Sequence, residues 1–199
     1  MTKSSSEQNS VTPSADALAQ AASAAAKGKG LPPVHLWDPP FCGDLDMRIA
    51  RDGTWFYEGT PIGRPALVRL FSTILKLEGG KYYLVTPVEK VGITVEDAPF
   101  VAVDFTVHGA GAEQRLTFET NVGDTVQAGA EHPIRVVRDP ATGEPAPYVM
   151  IRAGLEALID RKSFYRLVDI GTHADHGGSR WFGLWSDGKF FPIIPSEEL

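Results

Sequence analysis

Phe100-Val101-Ala102-Val103-Asp104-Phe105-Thr106-Val107-His108 is the stretch around which the rest of the chain can be ordered. Its residues alternate. Val101, Val103, Phe105 and Val107 fall on one side of an extended backbone, and Ala102, Asp104, Thr106 and His108 on the other. A period of two predicts a strand with one buried face. Residues 109–111 then turn the chain, and Arg115–Thr120 returns with Leu116 and Phe118 inward. Asn121-Val122-Gly123-Asp124 is a second turn. Residues 125–128 and 133–137 read as short strands, and 141–147, with Gly143 and two prolines, as a loop.

Working back from that core, residues 46–58 predict a β-hairpin. Asp52-Gly53 is its turn, between 47–51 and 54–57, and Thr60-Pro61-Ile62-Gly63 ends it. Pro65 suits a first helical position, where its missing N–H costs nothing. Leu67, Leu70, Phe71, Ile74 and Leu75 recur at helical spacing, so a helix is expected until Gly79-Gly80 stops it. Strands at 81–86 and 88–95 follow, the second with Val91, Ile93 and Val95 on one face.

Working forward, 148–152 predicts a strand and 154–162 a helix with Leu155, Leu158 and Ile159 apolar. Residues 164–170 read as helix or as strand, because β-branched and aromatic side chains suit both the pattern and the sheet. Residues 181–185 and 189–194 predict a hairpin around Asp187-Gly188.

The first 30 residues are rich in Ser, Ala, Gln, Gly and Lys and sustain no apolar periodicity. Such a segment cannot bury enough surface to offset its ordering entropy, so 1–30 is expected to be a disordered tail, with a few fraying helical turns between Ser14 and Lys27. Residues 31–41 form a Pro-rich, extended lead-in with Trp37 as an anchor. The folded part then divides into an N-terminal α+β half, 31–98, and a C-terminal α+β half, 99–199.

Two local likenesses suggest that the halves are related. Arg51-Asp52-Gly53-Thr54-Trp55-Phe56 matches Ser186-Asp187-Gly188-Lys189-Phe190-Phe191, and Lys81-Tyr82-Tyr83-Leu84 resembles Arg180-Trp181-Phe182-Gly183. Hairpins also converge on D-G turns and aromatic strands without common descent.

Composition narrows the function. The chain is 43% hydrophobic and 22% charged, which is ordinary for a globular protein, and its 199 residues can bury a core without disulfides. The single cysteine, Cys42, excludes an internal disulfide and fits a reducing compartment. The N-terminus lacks the apolar stretch of a signal peptide, and no run is long enough for a membrane helix, so a cytoplasmic location is expected. A net charge of −6 argues against a dedicated nucleic-acid binder.

An ordered string of motifs resembles a known family. It runs Asp52-Gly53-Thr54-Trp55, Pro61-Ile62-Gly63-Arg64, Leu67-Val68-Arg69-Leu70-Phe71, and the run Tyr82-Tyr83-Leu84-Val85-Thr86-Pro87-Val88-Glu89-Lys90. Asp97-Ala98-Pro99-Phe100, Arg152-Ala153-Gly154-Leu155-Glu156-Ala157-Leu158 and Phe190-Phe191-Pro192 continue it. Together these resemble the bacterial domain-of-unknown-function family 1285 over residues 35–195. The resemblance implies two similar small α+β halves, each mostly antiparallel strands with one helix, the C-terminal one loosely pleckstrin-homology-like. It further implies a ligand site where the halves meet, a nucleotide-like ligand, a signalling role and no enzymatic activity.

The residues themselves offer little catalysis. There is no G-x-S-x-G elbow, and Cys42 has only His35 nearby in sequence. His173-Ala174-Asp175-His176, read as a Gly-rich loop, supplies ligand types for a metal, but no second cluster completes a set. No Gly-rich phosphate loop opens a helix. The basic residues say more. Arg64 precedes the first helix, whose leading N–H groups favour anions, and Arg152 precedes the predicted second helix in an equivalent position. Lys90 and Thr86 lie in the strand run between, and Trp55, Tyr82 and Tyr165 offer aromatic faces. The competing reading pairs Arg64 and Arg152 with Glu89, Glu156 or Asp160 and puts the aromatics in the core.

Three functions follow. The first is a noncatalytic sensor without a cofactor, binding a nucleotide-like anion through Trp55, Arg64, Tyr82, Thr86, Lys90, Arg152 and Tyr165. The second is a protein-interaction adaptor using the Pro-rich segment or an exposed strand. The last is a metal-dependent hydrolase built on His173 and His176.

Overall fold

The computed structural model describes residues 13–26, 28 and 30–199. Its architecture is α+β, with two six-stranded sheets, each accompanied by one helix, and a small third sheet. Sheet A holds β1 (Phe41–Ile49), β2 (Trp55–Tyr57), β3 (Thr60–Pro61), β4 (Leu75–Glu78), β5 (Lys81–Val85) and β6 (Lys90–Val95), ordered β3-β2-β1-β6-β5-β4. Sheet B holds β7 (Phe100–His108), β8 (Arg115–Thr120), β9 (Thr125–Gln127), β10 (Ile134–Arg138), β11 (Pro145–Arg152) and β12 (Leu155–Ile159), ordered β10-β11-β12-β7-β8-β9. Its pairings are antiparallel except β12 with β7. Sheet C is the meander β13 (Thr172–His176), β14 (Ser179–Ser186) and β15 (Lys189–Pro195). The helices are α1 (Ala15–Ala25), α2 (Pro65–Thr73) and α3 (Arg161–Asp169).

One turn chemistry recurs. Five hairpins close on two residues with both φ angles positive: Glu58-Gly59, Gly79-Gly80, Ala153-Gly154, Gly177-Gly178 and Asp187-Gly188. That is the I′ geometry, whose twist matches the strands it joins. The second position is always Gly. Glu58, Ala153 and Asp187, at first positions, account for every non-glycine residue with positive φ among those described.

Two expected helical spans change under this rule. The helix after Pro65 stops at Thr73, not at Gly79-Gly80. Leu75-Lys76-Leu77-Glu78 alternates instead and pairs with β5 through Glu78↔Lys81, so the two glycines form a hairpin turn. Residues 155–159 likewise form β12 rather than a helix. Leu155, Ala157 and Ile159 are buried, and Glu156 and Leu158 are less so, a period of two. The ambiguous segment 164–170 is mostly helical, in α3, where the Asp160 side chain accepts the Ser163 N–H at 2.7 Å as an N-cap.

The helical turns expected between Ser14 and Lys27 are present as α1, and the correction to the tail reading is that they are capped and packed. Residues 15–25 are helical, the Ser14 hydroxyl accepts the Ala17 N–H, and Leu18 and Ala22 are fully buried. Alanine's helix propensity and one i,i+4 apolar pair build this element without a long apolar pattern. Residues 1–12 lie outside the described part.

By internal contacts the chain forms two compact units, one of Met1–Asp46 and Leu70–Ile93, the other of Met47–Arg69 and Thr94–Leu199. In the second unit the starting strand departs from strict alternation. The pairing Ala102↔Thr120 shifts to Asp104↔Glu119, so a bulge falls at Val103. Phe100, Ala102 and Phe105 are buried, and Val107 is 40% exposed. The expected face of Val101, Val103, Phe105 and Val107 is thus broken in the middle. Helix α3 serves the bulge: the Ser163 hydroxyl donates to the Val103 carbonyl at 3.4 Å, and Arg166 to that of Phe105 at 3.3 Å.

Candidate functional site

The site is built in the second unit from four pieces of chain. The β1–β2 turn brings Arg51, the segment after β6 brings Glu96 and Asp97, the β10–β11 hairpin brings its loop, and α3 brings Phe164 and Tyr165. Between hairpin and helix lies an open cleft of about 730 Å³. Val137, Pro145, Pro147, Leu158 and Phe164 give it apolar walls, and Tyr165, 60% exposed, stands in it.

A polar cluster around the buried Tyr148 and the half-buried Asp97 anchors the base. The Tyr148 hydroxyl donates to Asp97 Oδ1 at 2.8 Å, and Arg51 Nε lies 3.1 Å from Asp97 Oδ2. The Arg51 N–H donates to Glu96, whose other oxygen takes Arg48. Arg135 covers the Tyr148 ring at 4.4 Å and is bound through Nε to Glu156 at 2.7 Å. Burial first, then the Asp97 hydrogen bond and charge, push the Tyr148 phenol up to about 12.

The rim arginines are already matched. Arg161 pairs with Glu144, and Arg138 with Glu198 at 2.6 Å. Two carboxylates face no cation in these pairs. Asp139 shapes the hairpin loop by accepting the N–H groups of Ala141 and Thr142 at 2.8 and 2.9 Å. The bond from Thr142, then that from Ala141, holds its carboxyl below the usual range. Asp160 caps α3. The lining can bind an apolar body and donors; its positive charge is internally spent.

Of the seven residues singled out from the sequence, only Tyr165 lies in this cleft. Trp55 is 1% exposed and pairs with Ile49, so it is core of the second unit rather than a stacking face. Arg152 sits in the β11–β12 hairpin, not before a helix; it pairs with Asp124 and covers the Phe100 ring at 4.8 Å. Arg64 does precede α2, with its carbonyl accepting the Val68 N–H at 3.2 Å, and is exposed. In the first unit, Lys90 Nζ lies 3.1 Å from Glu78 and 5.2 Å from the Tyr83 ring centre. Thr86 is buried and its hydroxyl accepts the Glu89 N–H at 3.2 Å, which fixes the β5–β6 turn. Tyr82 is half-buried in β5, opposite Ile93.

The His173–His176 run is strand β13, not a loop. His173 Nδ1 lies 2.7 Å from the Ser196 hydroxyl, and its ring meets Phe182, while His176 meets Phe190. Alternation along a strand sends His173 and His176 to opposite faces. The residues missed from sequence are Asp97 and Tyr148. Their one signal was placement, since Asp97 falls in the Asp97-Ala98-Pro99-Phe100 motif and Tyr148 follows Pro147.

Comparison with known proteins now bears on the whole chain. Residues 32–98 match the N-terminal domain of unknown function of DUF1285, and residues 99–193 its C-terminal domain. A DUF1285 family protein from Silicibacter pomeroyi DSS-3, solved at 2.50 Å resolution, is 67% identical; the match covers 91% of this chain and 96% of that one, with a TM-score of 0.83. A second, from Shewanella baltica OS155, is 28% identical over 63% of this chain and 91% of that one, with a TM-score of 0.50. No curated protein matches this sequence. With both domain models matched in order and a solved relative two-thirds identical, the chain belongs to the DUF1285 family.

Proposed function

We propose that this chain is a noncatalytic ligand-binding protein whose site is the cleft between the β10–β11 hairpin and α3. The observation that carries this reading is the cleft's wall. About 730 Å³ of concave space is faced by Tyr165 and Val137, 60% and 44% exposed, apolar surface that a bound ligand would cover. The lining includes no Ser, Thr, Cys, His or Lys, so no hydroxyl or thiol nucleophile beside a His or Lys base is found in it, which favours binding over acyl-transfer chemistry.

A nucleotide-like anion asks Arg64, Lys90 and Arg152 for positive charge. Lys90 and Arg152 already face Glu78 and Asp124, which leaves that ligand, and the signalling role attached to it, with less support than the cleft. An adaptor role is favoured by one observation, that Leu31 and Leu36 in the Pro-rich lead-in are 51% and 72% exposed.

A thermal-shift screen of the full chain against nucleotides, phosphorylated metabolites and organic cations, each repeated on Tyr165→Ala, separates these readings. A ligand that raises the midpoint by several degrees, and no longer does so in Tyr165→Ala, supports the cleft. A shift that survives the substitution moves the site elsewhere. A flat response across the panel, from a protein that melts cooperatively, favours the adaptor.

A further inference from the structure

We propose that the cleft's ligand is a small organic cation with an apolar body, such as an aryl- or alkylammonium compound, held between Tyr165 and the carboxylates of Asp139 and Asp160. This rests on the cleft being the binding site.

The charges around the cavity set the class of ligand. Three arginines and five carboxylates line it. Arg51 faces Asp97 and donates its N–H to Glu96, whose carboxylate also takes Arg48; Arg161 faces Glu144; Arg138 is taken by Glu198. Asp139 and Asp160 are the lining carboxylates left outside these pairs. Each has one oxygen committed to backbone N–H groups, of Ala141 and Thr142 for Asp139 and of Ser163 for Asp160. Backbone donors, and for Asp139 also the charge of the Asp97-bound Arg51, favour the ionised form, while neither carboxylate closes an ion pair of its own. An anionic ligand would meet two net negative charges and no uncommitted cation on this wall.

The second, independent feature is aromatic. Tyr165, in the second turn of α3, is 60% exposed and lines the same cleft as Asp139 and Asp160. An exposed aromatic ring in a cleft that also carries carboxylates suits an ammonium group, through the ring quadrupole and the net charge together. The apolar walls of Val137, Pro145, Pro147 and Phe164 suit the body attached to that group. A cavity of about 730 Å³ is the size of a small-molecule site rather than of a protein interface.

The test is a ligand-observed NMR and calorimetric titration of the full chain with three probes of like shape: benzyltrimethylammonium, benzyl alcohol and phenyl phosphate. Three variants accompany it. Asp139→Asn keeps the side-chain oxygen that shapes the loop, Asp160→Ser keeps an N-cap, and Tyr165→Leu keeps apolar bulk without the ring. The cation is expected to bind saturably and the other two more weakly. Its affinity is expected to fall about tenfold or more in Asp139→Asn/Asp160→Ser, and again in Tyr165→Leu, with melting temperatures near the parent's. Asp139→Asn alone, in an exposed loop, serves if the double variant fails to fold. Binding of phenyl phosphate or benzyl alcohol as tight as that of the cation, still weakened by Tyr165→Leu, overturns the charge assignment and leaves the cleft standing. An equally tight cation in the charge-neutral variant also overturns it. No response from any probe overturns both this inference and the cleft.

Discussion

Burial and the neighbouring Asp97 carboxylate act on the Tyr148 phenol in the same direction. An ordinary tyrosine titrates near 10, and this one is pushed up to about 12. The folded state therefore holds a proton that the unfolded chain releases. Stability from this residue is complete below about pH 10 and is lost as pH rises towards 12. In an ultraviolet titration of the folded protein it should ionise above the ordinary tyrosine range. Tyr148→Phe removes the donor to Asp97 Oδ1 and should cost about 1–2 kcal/mol at neutral pH in urea unfolding. The variant's stability should also fall less steeply between pH 10 and 12. An unchanged alkaline slope would mean that Tyr148 is not buried against Asp97. The sequence could not give this pair, because 51 residues separate its members and one lies in the β6–β7 segment, the other in β11. The opposite failure befell Trp55. Its aromatic surface was legible, but whether it faced ligand or core depended on the register Ile49↔Trp55, which no local pattern encodes. Tyr165 was readable as an aromatic near basic and acidic residues, and its exposure follows from Phe164 and Leu167 taking the inward face of α3.

At the scale of elements, strands were legible from alternation in the sequence, with Phe100–His108 and Arg115–Thr120 at their expected bounds, though the bulge at Val103 was not. The errors came where a glycine admits two uses. Gly79-Gly80 ends a helix as readily as it closes a hairpin, and only the alternation of 75–78 decides. The D-G likeness behind the suggested duplication is also an element-scale coincidence. Asp187-Gly188 is a two-residue I′ turn, whereas at Asp52-Gly53 only Gly53 has positive φ, in a longer loop where the Gly53 N–H donates to the Ala50 carbonyl at 2.9 Å. One motif belongs to sheet C and the other to sheet A, so the string does not align the two six-stranded sheets. What ties sheet C to sheet B was not visible at all. Ser186, fully buried, accepts the Leu116 N–H at 2.9 Å and donates to the Ala128 carbonyl at 2.7 Å, while Gln114 donates to the Trp185 carbonyl at 2.9 Å. Ser186→Ala leaves two buried backbone groups without their partner and should destabilise the protein by about 1–3 kcal/mol. Amides of β13–β15 should then exchange faster than those of β7 and β8. Uniform acceleration across both sheets would show that the junction is not a separate link.

At the scale of the whole molecule, the family's domain boundary and the chain's compact units divide it differently. The matched domains part at residue 98, but the unit containing sheets B and C also takes Met47–Arg69 and Thr94 onward. The contacts behind this are specific. The Asn121 side chain accepts the Val101 N–H at 3.0 Å and donates to the Gly53 carbonyl at 3.4 Å, so the sheet B turn after β8 holds the β1–β2 loop. Gly53 has no room for a side chain there, since a Cβ would lie 2.6 Å from Asn121 Nδ2. Arg51 reaches Asp97, and Asp97 reaches Tyr148 of β11. A fragment of residues 99–199 keeps the buried aromatics of β7 and β8, Phe100, Phe105 and Phe118, and the bond from Val101 to Asn121, yet loses Gly53, Arg51 and Asp97. Tyr148 would then lack its Asp97 acceptor, and Asn121 the Gly53 carbonyl. The fragment expressed alone is therefore expected to bind a hydrophobic dye and to melt without a cooperative transition, whereas the full chain melts cooperatively. Adding residues 47–98 in trans should restore at least part of the transition, because they supply Arg51, Gly53, Trp55 and Asp97 together. A 99–199 fragment that melts as sharply as the intact chain would make the matched domain, rather than the contact-defined unit, the element that folds.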